Sequence, residues 1–220
     1  MKIIELKRRR KSLYGLQTDV ELDPKLYGAD SDPTGLIALD ISTCDEYGIK
    51  NGMEITDEFL SKVIEASHYN RAKKRALWYL ERGDVSKKQL IEKLKRVFPA
   101  SAAQKAADRM EELGLIDDRR YAEMLANSLV NTKKVSPKMA AYMMTAKGIE
   151  RDLAGEMTEA IEVDEVELIK SIIERKYIGK LGTEKELNRV INALARRGFS
   201  FSDIRTALKA YDSNTQLFED

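Results

Sequence analysis

Cysteine and histidine are almost missing from this chain: Cys44 and His68 are the only examples among 220 residues. A single thiol excludes an intrachain disulfide and a multi-thiolate metal site, and leaves a small buried or half-buried thiol as the plain reading. The lone imidazole, in EASHYNRAKK, has no partner at metal-ligand spacing and reads as a surface or helix-junction residue. With no phosphate-cradling glycine loop and no Cys/His pair, the expectation is a protein that is not an enzyme and takes no metal or other cofactor. Long apolar runs are missing too. Nothing approaches the roughly 18 consecutive apolar residues that a membrane span needs. MKIIELKRRRKS places its charges after a very short apolar group, the reverse of a secretory leader. A cytoplasmic protein with no membrane partner is expected. A net charge of only +1 argues against coating nucleic acid through overall positive charge.

What is present is a chain 43% hydrophobic and 34% charged. That balance suits a soluble, charge-coated helical protein, because enough apolar surface is available to offset chain entropy. The length allows one large or two modest domains of roughly 100–200 residues each. The charges are segregated. Residues 71–98 hold ten Lys or Arg against three acids, whereas residues 151–167 hold seven acids against Arg151 alone. One face for an anionic partner and another that is not is the implied arrangement, although any single lysine reads first as part of a solvated helix face.

The first 70 residues differ from the rest. IIELKRRR, SLYGLQTDVEL and LIALD are short runs, separated by DPKLYGADSDPTG with its two prolines and two glycines, and predict two or three strands. YGIKNGMEIT predicts a tight turn at Asn51-Gly52, then Thr56 as a helix N-cap ahead of Phe59, Leu60, Val63 and Ile64. From about residue 71 helix follows helix. Ala72, Ala76, Leu77 and Leu80 share a face that ends at Gly83; Ser86 caps a helix with the stripe Leu90, Ile91, Leu94, Val97 and Phe98, stopped by Pro99. Ser101 with Gln104 reads as a capping box ahead of Ala103, Ala106, Ala107, Met110 and Leu113, with Gly114 as a left-handed C-cap.

The same grammar recurs. Tyr121, Leu125 and Leu129 lead to Ser136-Pro137, the stripe Met139, Ala140, Met143 and Met144, a stop at Gly148, and then Leu153, Met157, Ala160 and Ile161. For the three methionines, core is favoured over an adaptable partner surface. A third round runs through Val166, Ile169, Ile172, Ile173 and Tyr177; a capping box at Thr183 and Glu186; Leu187, Val190, Ile191 and Leu194; Gly198; and Ile204, Ala207, Leu208 and Tyr211. The caps at Ser86, Ser136 and Thr183 are 50 and 47 residues apart. The expected fold is mainly α: three tandem three-helix repeats forming an elongated curved body, with a small β-containing N-terminal region. The expected division is 1–55 for an extension with short strands, 56–70 for a linking helix, 71–117, 118–163 and 164–212 for the repeats, and 213–220 for a tail.

Asp117-Asp118, in ELGLIDDRRYA, tests the alternative of a catalytic or metal-binding pair. Such a pair would need further carboxylates or a histidine converging on it; the chain has no suitable histidine motif, and the pair lies where one helix has ended at Gly114 and the next begins. An aspartate there accepts hydrogen bonds from free backbone N–H groups and complements the helix dipole, so the pair reads as punctuation.

ALWYLERGDVSKKQLIEKL followed by GLIDDRRYA resembles the signature of the bacterial RecX regulatory proteins, carried by Leu77, Leu80, Arg82, Ser86, Leu90, Gly114, Leu115, Ile116, Asp117, Asp118, Tyr121 and Ala122. The likeness extends through KMAAYMMTAKGIERDL and ELNRVINALARRGFSFSDIRTAL, covering residues 71–211, and the N-terminal part resembles the extension of Gram-positive members. The resemblance implies a modulator of RecA that binds the RecA–DNA filament and lowers ATP hydrolysis, strand exchange and cleavage of the SOS repressor. The acidic 151–167 segment departs from a continuous basic surface, so the repeats are not expected to touch DNA equally.

Candidate contacts to the RecA filament, or to single- or double-stranded DNA, are Arg82, Lys87, Lys88, Lys95, Arg96, Lys133, Lys134, Lys138, Arg196 and Arg197. Trp78 and Tyr79 offer base stacking, but packing against the N-terminal region is the favoured reading, beside inward Leu77 and Leu80. A monomer is expected. Two rival functions are an autonomous helical nucleic-acid-binding protein and a helical-repeat scaffold for another protein.

Overall fold

The computed structural model describes residues 1–10, 12–19 and 37–211. The turn expected in DPKLYGADSDPTG and the tail at 213–220 lie outside the described residues. The chain forms two compact units, Met1–Asp117 and Asp118–Asp220.

Unit 1 opens with an antiparallel sheet in the order β1 (Ile3–Arg10), β2 (Leu13–Thr18), β3 (Ile37–Asp40), with register shifts between Ile3 and Glu5 and between Arg8 and Arg10. Helix α1 (Ile41–Glu46) follows directly, and Cys44 on it is buried, as expected. Burial, with Asp45 and Asp40 nearby, pushes its thiol pKa up to about 11, which makes it inert as a nucleophile. The turn at Asn51-Gly52 is present, with Gly52 at φ +80 and the Met53 N–H donating to Lys50 O at 3.2 Å. Thr56 caps α2 (Asp57–Leu80), its Oγ1 accepting from the Phe59 N–H at 3.2 Å.

Helix α2 is one uninterrupted helix of 24 residues that runs through the boundary expected at residue 70. Its first turns place Leu60, Val63 and Ile64 against the sheet with Ile3, Leu16 and Leu39; its later turns place Ala72 and Ala76 against α3 (Lys87–Lys95) and α4 (Ala100–Glu112). Between these two apolar stretches the contacts are polar. The Asp40 N–H donates to Ser67 Oγ at 2.7 Å, Asn70 Nδ2 donates to Thr43 Oγ1 at 2.9 Å, and Lys74 Nζ reaches both Asp40 oxygens at 3.0 and 2.7 Å. His68 sits in this middle stretch and is buried, not at a surface or helix junction, because the helix runs on without a break through that position.

Ser86 caps α3 as expected, accepting from the Gln89 N–H at 3.1 Å. The expected stripe is too long at its end. Leu90, Leu94 and Phe98 are buried, but Val97 lies past the last helical turn and is 47% exposed. Pro99, read as a stop, is itself the N-cap of α4, so Ser101 is already inside the helix and makes no capping box. Gln104 Nε2 bonds Asp108 Oδ1 instead, at 3.0 Å. Ala103, Ala106, Ala107 and Met110 are buried, while Leu113 is exposed at the C-cap. Gly114 takes φ +68, and the Leu115 N–H reaches Met110 O at 2.9 Å, closing the helix end.

Unit 2 contains α5 (Asp118–Asn127) with a π-helical turn (Ser128–Thr132), α6 (Pro137–Ala146), α7 (Arg151–Glu159), α8 (Glu165–Lys176), α9 (Glu184–Ala195), and α10 (Phe201–Leu208) running into a 3-10 turn (Lys209–Tyr211). One continuous core joins them, from Ala122 to Leu208. Ser136 caps α6 with Pro137 in its first turn, as expected, and Met139 and Met143 pack against a core that buries Met144 completely. In α7 the buried positions are Ala154 and Thr158, with Leu153 and Met157 packed beside them and Ala160 exposed at the C-cap. Asp164 caps α8 and Ser200 caps α10, two caps that the apolar periodicity does not single out.

Buried positions reveal a stricter repeat than the caps do. Leu90, Ala140 and Val190 recur at 50-residue intervals, as do Leu94, Met144 and Leu194, and all six are at most 2% exposed. Ser86 and Ser136 share this frame, whereas Glu186, not Thr183, stands at the third position. Helix α9 simply begins almost one turn earlier, with Thr183 Oγ1 accepting from the Glu186 N–H at 3.3 Å.

Candidate functional site

The candidate basic residues of unit 2, widely separated in sequence, meet at one place. The π-helical turn leads into the loop of Lys133 and Lys134, where Lys134 is held at φ +56, an uncommon conformation for a side chain with a Cβ. Arg197, just past α9, holds that loop: its Nη1 donates to Lys133 O at 2.7 Å and to Lys134 O at 3.0 Å. In return the Ser136 N–H donates to Arg197 O at 3.0 Å. Gly198 completes the junction. A Cβ there would lie 2.5 Å from both Met139 Cβ and Ser136 Oγ, so only glycine permits this approach. Arg197 is therefore a positioning residue, and Lys133, Lys138 and Arg196 present exposed charge around it, with Lys134 half-buried.

The candidate residues of unit 1 divide by whether a carboxylate already holds them. Lys87 bridges α3 to α4, with Nζ 2.7 Å from Asp108 Oδ1 and 2.7 Å from Glu111 Oε2. Hydrogen bonds that Lys87 donates to Asp108 and Glu111 raise its pKa, and Lys87 in turn lowers that of Asp108. Lys95 pairs with Glu92 at 3.1 Å on the exposed surface, a contact of little energetic weight in solvent. Lys88 and Arg96 are exposed on the same helix and its C-cap. Arg82, one residue past the α2 C-cap, lies with its guanidinium carbon 3.5 Å from the centroid of the Trp78 ring.

The motif residues play structural parts. Leu90, Ile116 and Ala122 are buried, as is Ser86; Leu80 and Tyr121 are half-buried; and Leu115 is exposed in the connector. Asp118 is the first residue of α5 and Asp117 immediately precedes it, the place of helix punctuation. Among the described residues no group of three or more His, Cys, Asp or Glu side chains is arranged to hold a metal ion, and no helix is long and apolar enough to cross a membrane. Leu77 and Trp78 are both exposed, so among the described residues the expected packing of Trp78 against the N-terminal region is not found. Its indole instead contacts Tyr79, edge to face at 5.1 Å, and the guanidinium groups of Arg75 on α2 and Arg82 just past its end.

These features define a class: a tandem three-helix protein with cationic surfaces set on well-capped helices. Family models described as the second and third three-helix domains of RecX match residues 117–157 and 162–208. The chain is 26% identical over 200 residues to the regulatory protein RecX of Streptococcus gordonii, covering 89% of this chain and 76% of that one. It is 27% identical to that of Clostridioides difficile, covering 74% and 78%. A crystal structure of regulatory protein RecX superposes with a TM-score of 0.60 at 20% identity, covering 94% of this chain and 98% of that one. RecX from Lactobacillus salivarius gives 0.58 at 22%, covering 67% and 98%. These likenesses all point to the RecX family.

Proposed function

We propose that this protein is a negative regulator of RecA, which binds the RecA–DNA filament and lowers its ATPase, strand-exchange and SOS co-protease activities. Similarity to RecX regulatory proteins, over most of the chain, is the observation that carries this reading. It acts as a monomeric, non-enzymatic cytoplasmic protein. The basic junction of unit 2 supports a filament contact physically: Lys133, Lys138 and Arg196 supply charge for phosphates or acidic side chains, while Arg197 and Gly198 hold their backbone in place. In unit 1, Lys88, Lys95 and Arg96 serve the same contact; Lys87, committed to Asp108 and Glu111, keeps α3 in register with α4.

The test is co-sedimentation with RecA filaments preassembled on single-stranded DNA, compared with the same DNA without RecA. Retention on filaments at concentrations where bare DNA retains little is the expected result, weakened by joint reversal of Lys133, Lys138 and Arg196 to glutamate. Equal retention on both would replace filament binding with simple competition for DNA.

A further inference from the structure

We infer that the exposed face of α2 around Trp78 is a stacking site for single-stranded nucleic acid, separate from the basic junction of unit 2. Arg75, Trp78 and Arg82 follow one another at three- and four-residue steps, the spacing that places side chains on one face of a helix. Trp78 is 40% exposed, with the Arg75 and Arg82 guanidinium carbons 5.2 and 3.5 Å from its ring centroid. Arg82 is also fixed by a hydrogen bond from Nη1 to Trp78 O at 2.9 Å. From below, Tyr79, itself packed against the helical core, meets the indole edge to face, and Lys93 of α3 stands 5.3 Å from the Tyr79 ring.

Two features select the ligand. The first is charge without a carboxylate partner. Lys74, Lys87 and Lys95 are bound to acids, whereas Arg75, Arg82 and Lys93 have aromatic rings and no carboxylate as partners among the described residues. Their charge therefore remains available to an incoming polyanion. The second is planarity. An acidic peptide would use the charges alone, but a guanidinium lying over an indole presents its outer plane for a third flat group, and nucleobases stack on both aromatic and arginine planes. Holding the arginines on the indole also reduces the side-chain freedom lost on binding. Phosphates on Arg75, Arg82 and Lys93, with a base on the Trp78–Arg82 stack, satisfy both features.

Trp78 is the only tryptophan in the chain, so its emission reports on this site alone. The full-length protein is titrated with oligothymidylate, with an abasic oligonucleotide of equal length, and with poly-aspartate. Oligothymidylate should quench the emission, whereas the abasic strand and poly-aspartate should bind more weakly and leave it nearly unchanged. Trp78→Ala should weaken oligothymidylate binding about tenfold, a stacking-sized loss, with unchanged far-ultraviolet circular dichroism. Trp78→Phe, which keeps a ring, should retain most of the affinity, and Arg82→Lys, which keeps charge but not planarity, should fall between. Equal affinity for the abasic strand or poly-aspartate, or oligothymidylate binding without quenching, would overturn the assignment. RecA is absent from this assay, so failure here leaves the proposed regulation standing, and failure of that regulation leaves this result unaffected.

Discussion

In unit 1 the buried residues fall into two groups, one under the sheet and one among α2, α3 and α4; in unit 2 a single core passes through both repeats. The frame at positions 90, 140 and 190 is common to both units, so the difference comes from how each repeat is joined to its neighbour. Unit 1 uses one long helix, apolar at each end and polar in the middle, where Asp40, Thr43, Ser67 and Asn70 meet. Unit 2 uses direct apposition, with Arg197 and Gly198 seated on the start of α6. Local damage should consequently stay local in unit 1 and spread in unit 2.

Equivalent core truncations sharpen this contrast most strongly. Leu94→Ala and Leu194→Ala should each cost about 4 kcal/mol. Hydrogen exchange should rise mainly in α2, α3 and α4 for the first, but throughout α5 to α10 for the second. Gly198→Ala should cost about 3 kcal/mol from overlap with Met139 and Ser136 together with its φ of +90, read as a lower unfolding temperature of unit 2 with unit 1 unchanged.

Acid should separate the units by sign. Burial alone would raise the pKa of Asp40, but hydrogen bonds from Lys74 and Ser42, with the Lys74 charge, bring it below the ordinary 3.8. The stability it contributes is present above the unfolded value and is lost as pH falls through the depressed folded value. Glu165 in unit 2 goes the other way: burial, then the neighbouring Asp203, raise its pKa above 4.5, so its contribution is present below the unfolded value and is lost as pH rises through the raised folded value. Unit-resolved hydrogen exchange against pH should show these opposite slopes, and Asp40→Asn, costing about 2 kcal/mol at neutral pH, should flatten only that of unit 1. The smallest effects are at the caps. Ser86→Ala and Ser136→Ala should each cost about 1 kcal/mol, measurable by denaturant titration, and should match because both caps occupy the same place in the repeat.

Much of this architecture was legible in the sequence because its signals are local. Ser86, Ser136, Thr183, Gly114, Gly148 and Gly198 each mark a helix end through the chemistry of one or two residues, and the strands announce themselves by contrast with the helical periodicity beyond residue 56. Periodicity was less reliable where a helix stops: Val97 and Leu113 continue the apolar pattern beyond the last turn and are exposed. Helix α3 has already ended at its C-cap Arg96, and Pro99 opens α4 instead of stopping α3, which misplaced the start of α4 at Ser101. His68 was misjudged because its place in the middle of one long helix, buried, does not show in the local sequence. The same limit applies to the candidate surface. Lysines and arginines could be named, but the convergence of Lys133, Lys134 and Lys138 on Arg197 is a tertiary event, as is the capture of Lys87 by Asp108 and Glu111. The Arg75–Trp78–Arg82 spacing is local, but Arg75 was not singled out from the sequence, because charge and spacing alone do not show that the two guanidinium groups close on the indole.

The most direct test of the proposed regulation is the single-strand-DNA-dependent ATPase of the cognate RecA, titrated with this protein from far below one molecule per RecA monomer. Inhibition at those low ratios is the predicted result. Inhibition only when the protein saturates the DNA, or no inhibition at any ratio, would contradict it.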